Sequence, residues 1–110
     1  MSNSGIGFIG LGQMGLGMAN NLGRVARPFY AYDALSDATK RLSDDDIIIA
    51  SSVSSMAENC HLIFLCLPSA KEVKEVIFGT GGIADSALPN LSIIDTSTID
   101  RTEAISIHNQ

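Results

Sequence analysis

The feature that most constrains this chain is Gly10-Leu11-Gly12-Gln13-Met14-Gly15, three glycines at G-x-G-x-x-G spacing. The motif follows the apolar run Ile6 to Ile9 and opens an amphipathic segment, Gln13 to Leu22, so a strand passes into a helix there. Each glycine answers a geometric demand of that junction. Gly10 permits the tight turn, Gly12 lets backbone approach a pyrophosphate without a Cβ between them, and Gly15 lets the helix pack closely on the strand. Amides of the first helical turn then face the phosphates, aided by the helix dipole. Alone, the spacing is weak evidence, because a glycine-rich turn also serves as a plain tight strand–helix link.

Context favours the first reading. A second strand, Phe29 to Tyr32, ends at Asp33, about 20 residues beyond the motif. A carboxylate there accepts both hydroxyls of an adenosine ribose. It opposes a 2′-phosphate by an amount on the order of a few kcal/mol at an effective dielectric of 20. Ala34 and Leu35 follow it, with no arginine. The cofactor expected is therefore NAD, in preference to NADP. The bland alternative makes Asp33 a turn residue.

The rest of the chain alternates short apolar runs with amphipathic segments, the pattern of βαβ units and a parallel sheet. Pro28 is tolerable at the start of the second strand. Ser36 to Leu42 reads as a short helix with Ser36 as its cap, and Ile47 to Ala50 as a third strand. Three later helices carry the spacing of a capping box: Ser55 with Glu58, Ser69 with Glu72, and Asp100 with Glu103. Between them lie Leu62 to Leu67 and Leu91 to Ile94, near-continuous apolar runs expected to be strands buried on both faces. Gly79, Gly81 and Gly82 mark a turn. The expected fold is α/β, a doubly wound parallel sheet of Rossmann type with strand order 3-2-1-4-5. It spans residues 1–110 as one domain, ending after the fifth strand and its helix.

Composition excludes several classes. Seven basic against twelve acidic residues give a net charge of −5, and no Lys/Arg cluster exists to neutralise phosphates of nucleic acid or an anionic membrane. Met1 to Gly5 lacks a basic n-region, so no signal peptide is expected, and no apolar run approaches a membrane span. Cys60 and Cys66 would stand about 20 Å apart in an extended segment, at roughly 3.3 Å per residue, too far for a disulfide. Two buried thiols in the cytoplasm, or another reducing compartment, is the expectation. Asp44-Asp45-Asp46 reads as a solvated loop, and His61 and His108 lack partners at ligand spacing, so no metal is expected.

Gly7 to Gly15, with Met18-Ala19 and Asn21-Leu22, resembles the N-terminal signature of the β-hydroxyacid dehydrogenases, the family of 3-hydroxyisobutyrate, tartronate semialdehyde and 6-phosphogluconate enzymes. Leu67-Pro68-Ser69 is similar to its fourth-strand exit, and Ile94 to Asp100 to its substrate segment. The resemblance implies that Gly10, Leu11, Gly12, Gln13 and Met14 hold the pyrophosphate and Asp33 the ribose. It implies that Leu67 and Pro68 line the nicotinamide side, that Thr98 contacts the cofactor, and that Ser97 hydrogen-bonds a substrate carboxylate. Ser97 and Thr98 also follow the end of a strand, where open α/β sheets bind ligands; the bland alternative gives their hydroxyls to local turn bonds.

Departures accompany the resemblance. Glu72 stands where the family often has Asn, and Ala26-Arg27-Pro28 replaces a common Gly-His. Asp33-Ala34-Leu35 stands where NADP-preferring relatives carry Asn-Arg-Ser/Thr. The resemblance implies a catalytic lysine further along than these residues, in a glycine-rich helix start leading to an all-helical domain. Lys40, Lys71 and Lys74 are not assigned its role, so no catalytic residue is expected in these residues. The resemblance implies an NAD-dependent oxidoreductase acting on a small carboxylate-bearing 3-hydroxy acid, with room for a homo-oligomer in the intact enzyme. The rival is a stand-alone dinucleotide-binding or interaction module without catalysis.

Overall fold

Strand β1 (Gly5–Ile9) is hydrogen-bonded on both sides, parallel to β2 (Phe29–Tyr32) and parallel to β4 (Cys60–Leu65), and every other element is placed by that central position. The computed structural model describes residues 5–25, 28–42, 46–67, 69–86, 91–96 and 103–107. β3 (Ile48–Ile49) adds in parallel outside β2, and β5 (Leu91–Asp95) adds in parallel outside β4. These five strands have the expected order 3-2-1-4-5.

Parallel neighbours require crossovers, and the helices making them cover the two faces. Helix α1 (Gln13–Gly23) and the 3-10 helix Ser36–Arg41 lie over one face, where Phe8, Leu11, Ala19, Phe29, Ala31, Ala38 and Ile47 form a core. Helices α2 (Val53–Asn59), α3 (Ala70–Phe78) and α4 (Ile83–Ser86) cover the other, around Ile9, Met56, Ile63, Leu65, Ile77 and Ile93. Alternation along β1 divides Phe8 and Ile9 between the two cores, and each is essentially inaccessible. Phe8 stacks on Phe64 of β4, ring centroids 6.1 Å apart.

Several local expectations are corrected. The segment from Asp100 onward is not described as a helix: β6 (Glu103–Ile107) pairs antiparallel with β5, making a sheet of six strands. The alternation Ile105-Ser106-Ile107 has the strand period, and register sets Ile105 opposite Ile93 and Ile107 opposite Leu91. The open edge of β5 supplies the donors and acceptors for that pairing, which outweighs one capping-box spacing. Asp100 itself lies outside the described residues. Helix α2 is capped by Ser52, whose Oγ accepts from Ser55 N at 3.0 Å, so Ser55 is helical rather than the cap. The Ser36 helix is 3-10, preceded by Leu35 as cap. β4 ends at Leu65, before Cys66 and Leu67. Nor are β4 and β5 buried on both faces: Leu62, Phe64 and Ile94 are only half-buried.

Both cysteines are free, and they differ in environment. Cys60 is wholly buried beneath α2, and burial pushes its thiol pKa up from 9.0 to about 12. Stability contributed by keeping this thiol neutral is full below the unfolded pKa and falls as pH rises through 9 toward 12. A disulfide reagent at pH 8 is expected to modify Cys66 rapidly and Cys60 only on unfolding. Comparable rates for the two in the folded protein, read by mass spectrometry, would contradict this burial.

Candidate functional site

Parallel pairing continues one residue past the ends of three strands. Gly10 N donates to Tyr32 O at 3.0 Å, Cys66 N to Ile9 O at 2.9 Å, and Thr96 N to Leu65 O at 2.8 Å. Thr96 Oγ1 donates to the same Leu65 oxygen at 2.7 Å. The turns after β1, β4 and β5 therefore leave the sheet side by side. They do so where connections diverge between β1 and β4, the position at which open α/β sheets form a ligand crevice. A cleft of about 760 Å³ lies there. It is lined by Ile9, Gly10, Gly12, Met14 and Gly15, by Tyr32 at the end of β2 with Asp33 to Leu35 beyond it, and by Cys66 and Leu67 after β4. Glu72, Glu75 and Val76 of α3, with Ser52, Val53 and Thr80 to Gly82, complete it.

The three motif glycines differ in what they make possible. Gly10 has φ 104°, a left-handed backbone, and a Cβ there would strike the Cys66 carbonyl. A Cβ on Gly15 would collide with the Gly10 carbonyl oxygen, so this glycine sets how closely α1 approaches the loop. Gly12 is unlike both. Its φ of −65° and ψ of −175° suit any residue, and nothing lies within 4 Å of an added Cβ. Its lack of a side chain keeps space open in the cleft without relieving strain. No side chain caps α1, so first-turn amides are left for an external acceptor.

Asp33 is half-buried and already engaged. Its Oδ2 accepts from Leu11 N at 2.7 Å and its Oδ1 from Leu35 N at 2.8 Å. It is thus a turn residue and a brace for the glycine loop at once. An ionised carboxylate has about four acceptor positions, so about two remain for further donors. Leu11 enters differently from the expectation: its side chain is fully buried in the α1-side core and its amide is held by Asp33. Met14 is two-thirds exposed at the cleft, and Leu67 lines it beside Cys66. The backbone of Gln13 begins α1. Pro68, Ser97 and Thr98 lie outside the described residues.

Cys66, Glu72 and Arg41 have places at or behind the cleft beyond the roles expected of them from the sequence. Cys66 borders the cleft, although its apolar surroundings suggested a core thiol. Glu72 borders it too while serving the α3 cap: Ser69 Oγ accepts from Glu72 N at 3.3 Å and donates to Glu72 Oε1 at 3.2 Å. Arg41, at the end of the 3-10 helix, donates from Nη2 to Leu11 O at 3.2 Å. No local sequence signal marks that last contact, because it joins residues 30 positions apart.

Residues 5–110 match the model of the NAD binding domain of 6-phosphogluconate dehydrogenase. The chain belongs to that family. It is 38% identical over 99 residues to mouse mitochondrial 3-hydroxyisobutyrate dehydrogenase, covering 90% of this chain and 30% of the mouse protein. A Mycobacterium tuberculosis 3-hydroxyisobutyrate dehydrogenase determined with L-serine superposes with a TM-score of 0.75 at 24% identity, covering 88% of this chain and 32% of that one. Psf3 in complex with NADP+ and 2-OPP superposes at 0.76 and 21% identity, covering 86% and 34%. These two structural likenesses establish a shared fold. The chain spans about a third of the length of the curated relatives it matches. No helix among the described residues is long and apolar enough to cross a membrane.

Two substitutions separate the glycine roles. Gly12→Val is expected to leave stability within about 1 kcal/mol, because the backbone conformation is ordinary, yet to abolish dinucleotide binding. Gly15→Ala is expected to cost about 1–3 kcal/mol in stability through the clash with Gly10. Denaturant melts with NADH titrations test the pair. A Gly12→Val protein that binds NADH like the parent would reduce the loop to a turn.

Proposed function

We propose that the cleft binds NAD(H), and that this domain serves a dehydrogenase acting on a small 3-hydroxy acid. The observation carrying the proposal is the open space at Gly12, in a cleft that also presents uncapped α1 amides and the Asp33 carboxylate. The family's NAD-binding description and the name of the mouse relative support it. In this reading Gly10, Gly12, Gln13 and Met14 supply backbone to the pyrophosphate, while Leu11 supports the loop from beneath. Asp33 accepts the ribose hydroxyls through its remaining lone pairs, and its charge disfavours a 2′-phosphate.

In this reading the family resemblance assigns Leu67 and Pro68 to the nicotinamide side, Thr98 to the cofactor and Ser97 to the substrate carboxylate. Bound nicotinamide supplies or accepts the hydride at the hydroxyl-bearing carbon. Proton transfer falls to a group outside these residues. Lys40, Lys71 and Lys74 are exposed, and Lys40 is paired with Asp37 at 3.1 Å.

NADH is expected to bind more tightly than NADPH in calorimetric titrations. Asp33→Asn, which removes the charge but keeps an acceptor, should narrow the difference by about tenfold, or roughly 1.4 kcal/mol. Tighter binding of NADPH by the parent would take the ribose role away from Asp33.

The 110-residue polypeptide by itself is expected to bind cofactor without appreciable turnover of short 3-hydroxy acids. Positioned acid–base catalysis contributes about 10²–10⁴-fold, and none of these residues is assigned to it. NADH formation across a panel of such acids is the assay. Robust turnover lost in Lys71→Ala would relocate the proton-transfer group to α3. Failure to bind either dinucleotide would favour an interaction module instead.

A further inference from the structure

Resting on the dinucleotide reading above, we propose that Arg41 is a positioning residue for the pyrophosphate loop, acting through Leu11 rather than touching the cofactor. Leu11 is held at three points. Its side chain is fully buried against the α1-side core, its N–H donates to Asp33 Oδ2 at 2.7 Å, and its carbonyl accepts from Arg41 Nη2 at 3.2 Å. Both backbone partners come from the segment after β2, one at the strand's exit and one at the end of the following 3-10 helix. That segment therefore grips the loop after β1 from both sides of one residue.

The geometry has a directional consequence. In a planar trans peptide, C=O and N–H point to opposite sides. Holding the Leu11 carbonyl toward Arg41 turns the Gly12 N–H away from Arg41. Gly12 borders the cleft, whereas neither Leu11 nor Arg41 is among its lining residues. Arg41 thus fixes the peptide plane that presents the Gly12 amide to an anion, from behind the loop. Without it, that peptide unit is free to rotate between its neighbours, and ligand binding must first order it. An arginine suits the task because its guanidinium donates a charge-assisted bond to a neutral carbonyl. Asp33 cannot supply this hold, since it accepts hydrogen bonds and the Leu11 carbonyl requires a donor.

The test uses Arg41→Ala and Arg41→Lys with three ligands: NADH, NADPH and adenosine. Arg41→Ala is expected to weaken NADH and NADPH by the same factor, about tenfold, and adenosine by less than about twofold. Arg41→Lys should recover part of the loss, because an ammonium also donates to a carbonyl. In the ligand-free protein, the Leu11 carbonyl carbon resonance should shift in the alanine variant and return toward its original position in the lysine variant.

A larger loss for NADPH than for NADH would overturn the proposal, since Arg41 would then meet the 2′-phosphate directly. So would a loss for adenosine equal to that for NADH, which marks a change in the whole fold, or no change with any ligand. If the parent binds no dinucleotide, the functional reading fails by itself. The carbonyl resonance then decides the hold on Leu11 independently: a shift in Arg41→Ala supports it, and an unmoved resonance overturns it.

Discussion

The hydrogen bond from the Leu11 amide to Asp33 joins the turn after β1 to the exit of β2, and the candidate site depends on that junction. Parallel pairing brings the strand ends to one edge, but pairing alone does not shape the turns beyond them. Gly10 turns through a left-handed conformation directly beneath the Cys66 carbonyl. The following residue is buried and tied to Asp33. Only then does the chain reach Gly12 and start α1. A carboxylate at residue 33 thus contributes to the loop's shape before any ligand arrives, and the ribose contact proposed for it draws on the same two oxygens that brace the loop.

Much of this architecture is legible in the residues because local and global preferences agree. The glycine spacing, the apolar runs of β1 and β4, and the acidic end of β2 all indicate the same doubly wound sheet. Legibility fails where two local signals compete. Asp100 and Glu103 have capping-box spacing, while Ile105 and Ile107 have strand spacing, and an available sheet edge favours the strand. Among serines 51, 52, 54 and 55 the spacing cannot select the cap. The start of α2 is set instead by burial of Met56 and Ala57 beneath the helix. Long-range side-chain contacts are less legible still. Arg41 lies in a polar stretch with nothing to show that its guanidinium reaches a carbonyl after another strand.

Burial gave a second kind of ambiguity. Cys60 stands just before the apolar run and Cys66 within it, and both read as small hydrophobes, yet one is sealed beneath α2 and the other borders the cleft. The difference is positional. β4 ends between them, and Cys66, just beyond the strand, packs against the α1-side core and also borders the crevice.

The carboxylates around the cleft have an electrostatic consequence. Asp33, Glu72 and Glu75 border it, on a chain whose net charge is −5, while a dinucleotide brings a negatively charged pyrophosphate. At long range the partners repel, so attraction must come from amide donors acting at contact distance. Salt screens the first interaction over about 10 Å at 0.1 M and affects the second far less. Ionic strength should therefore speed the encounter here, opposite to its effect on sites that gather phosphates with lysine and arginine.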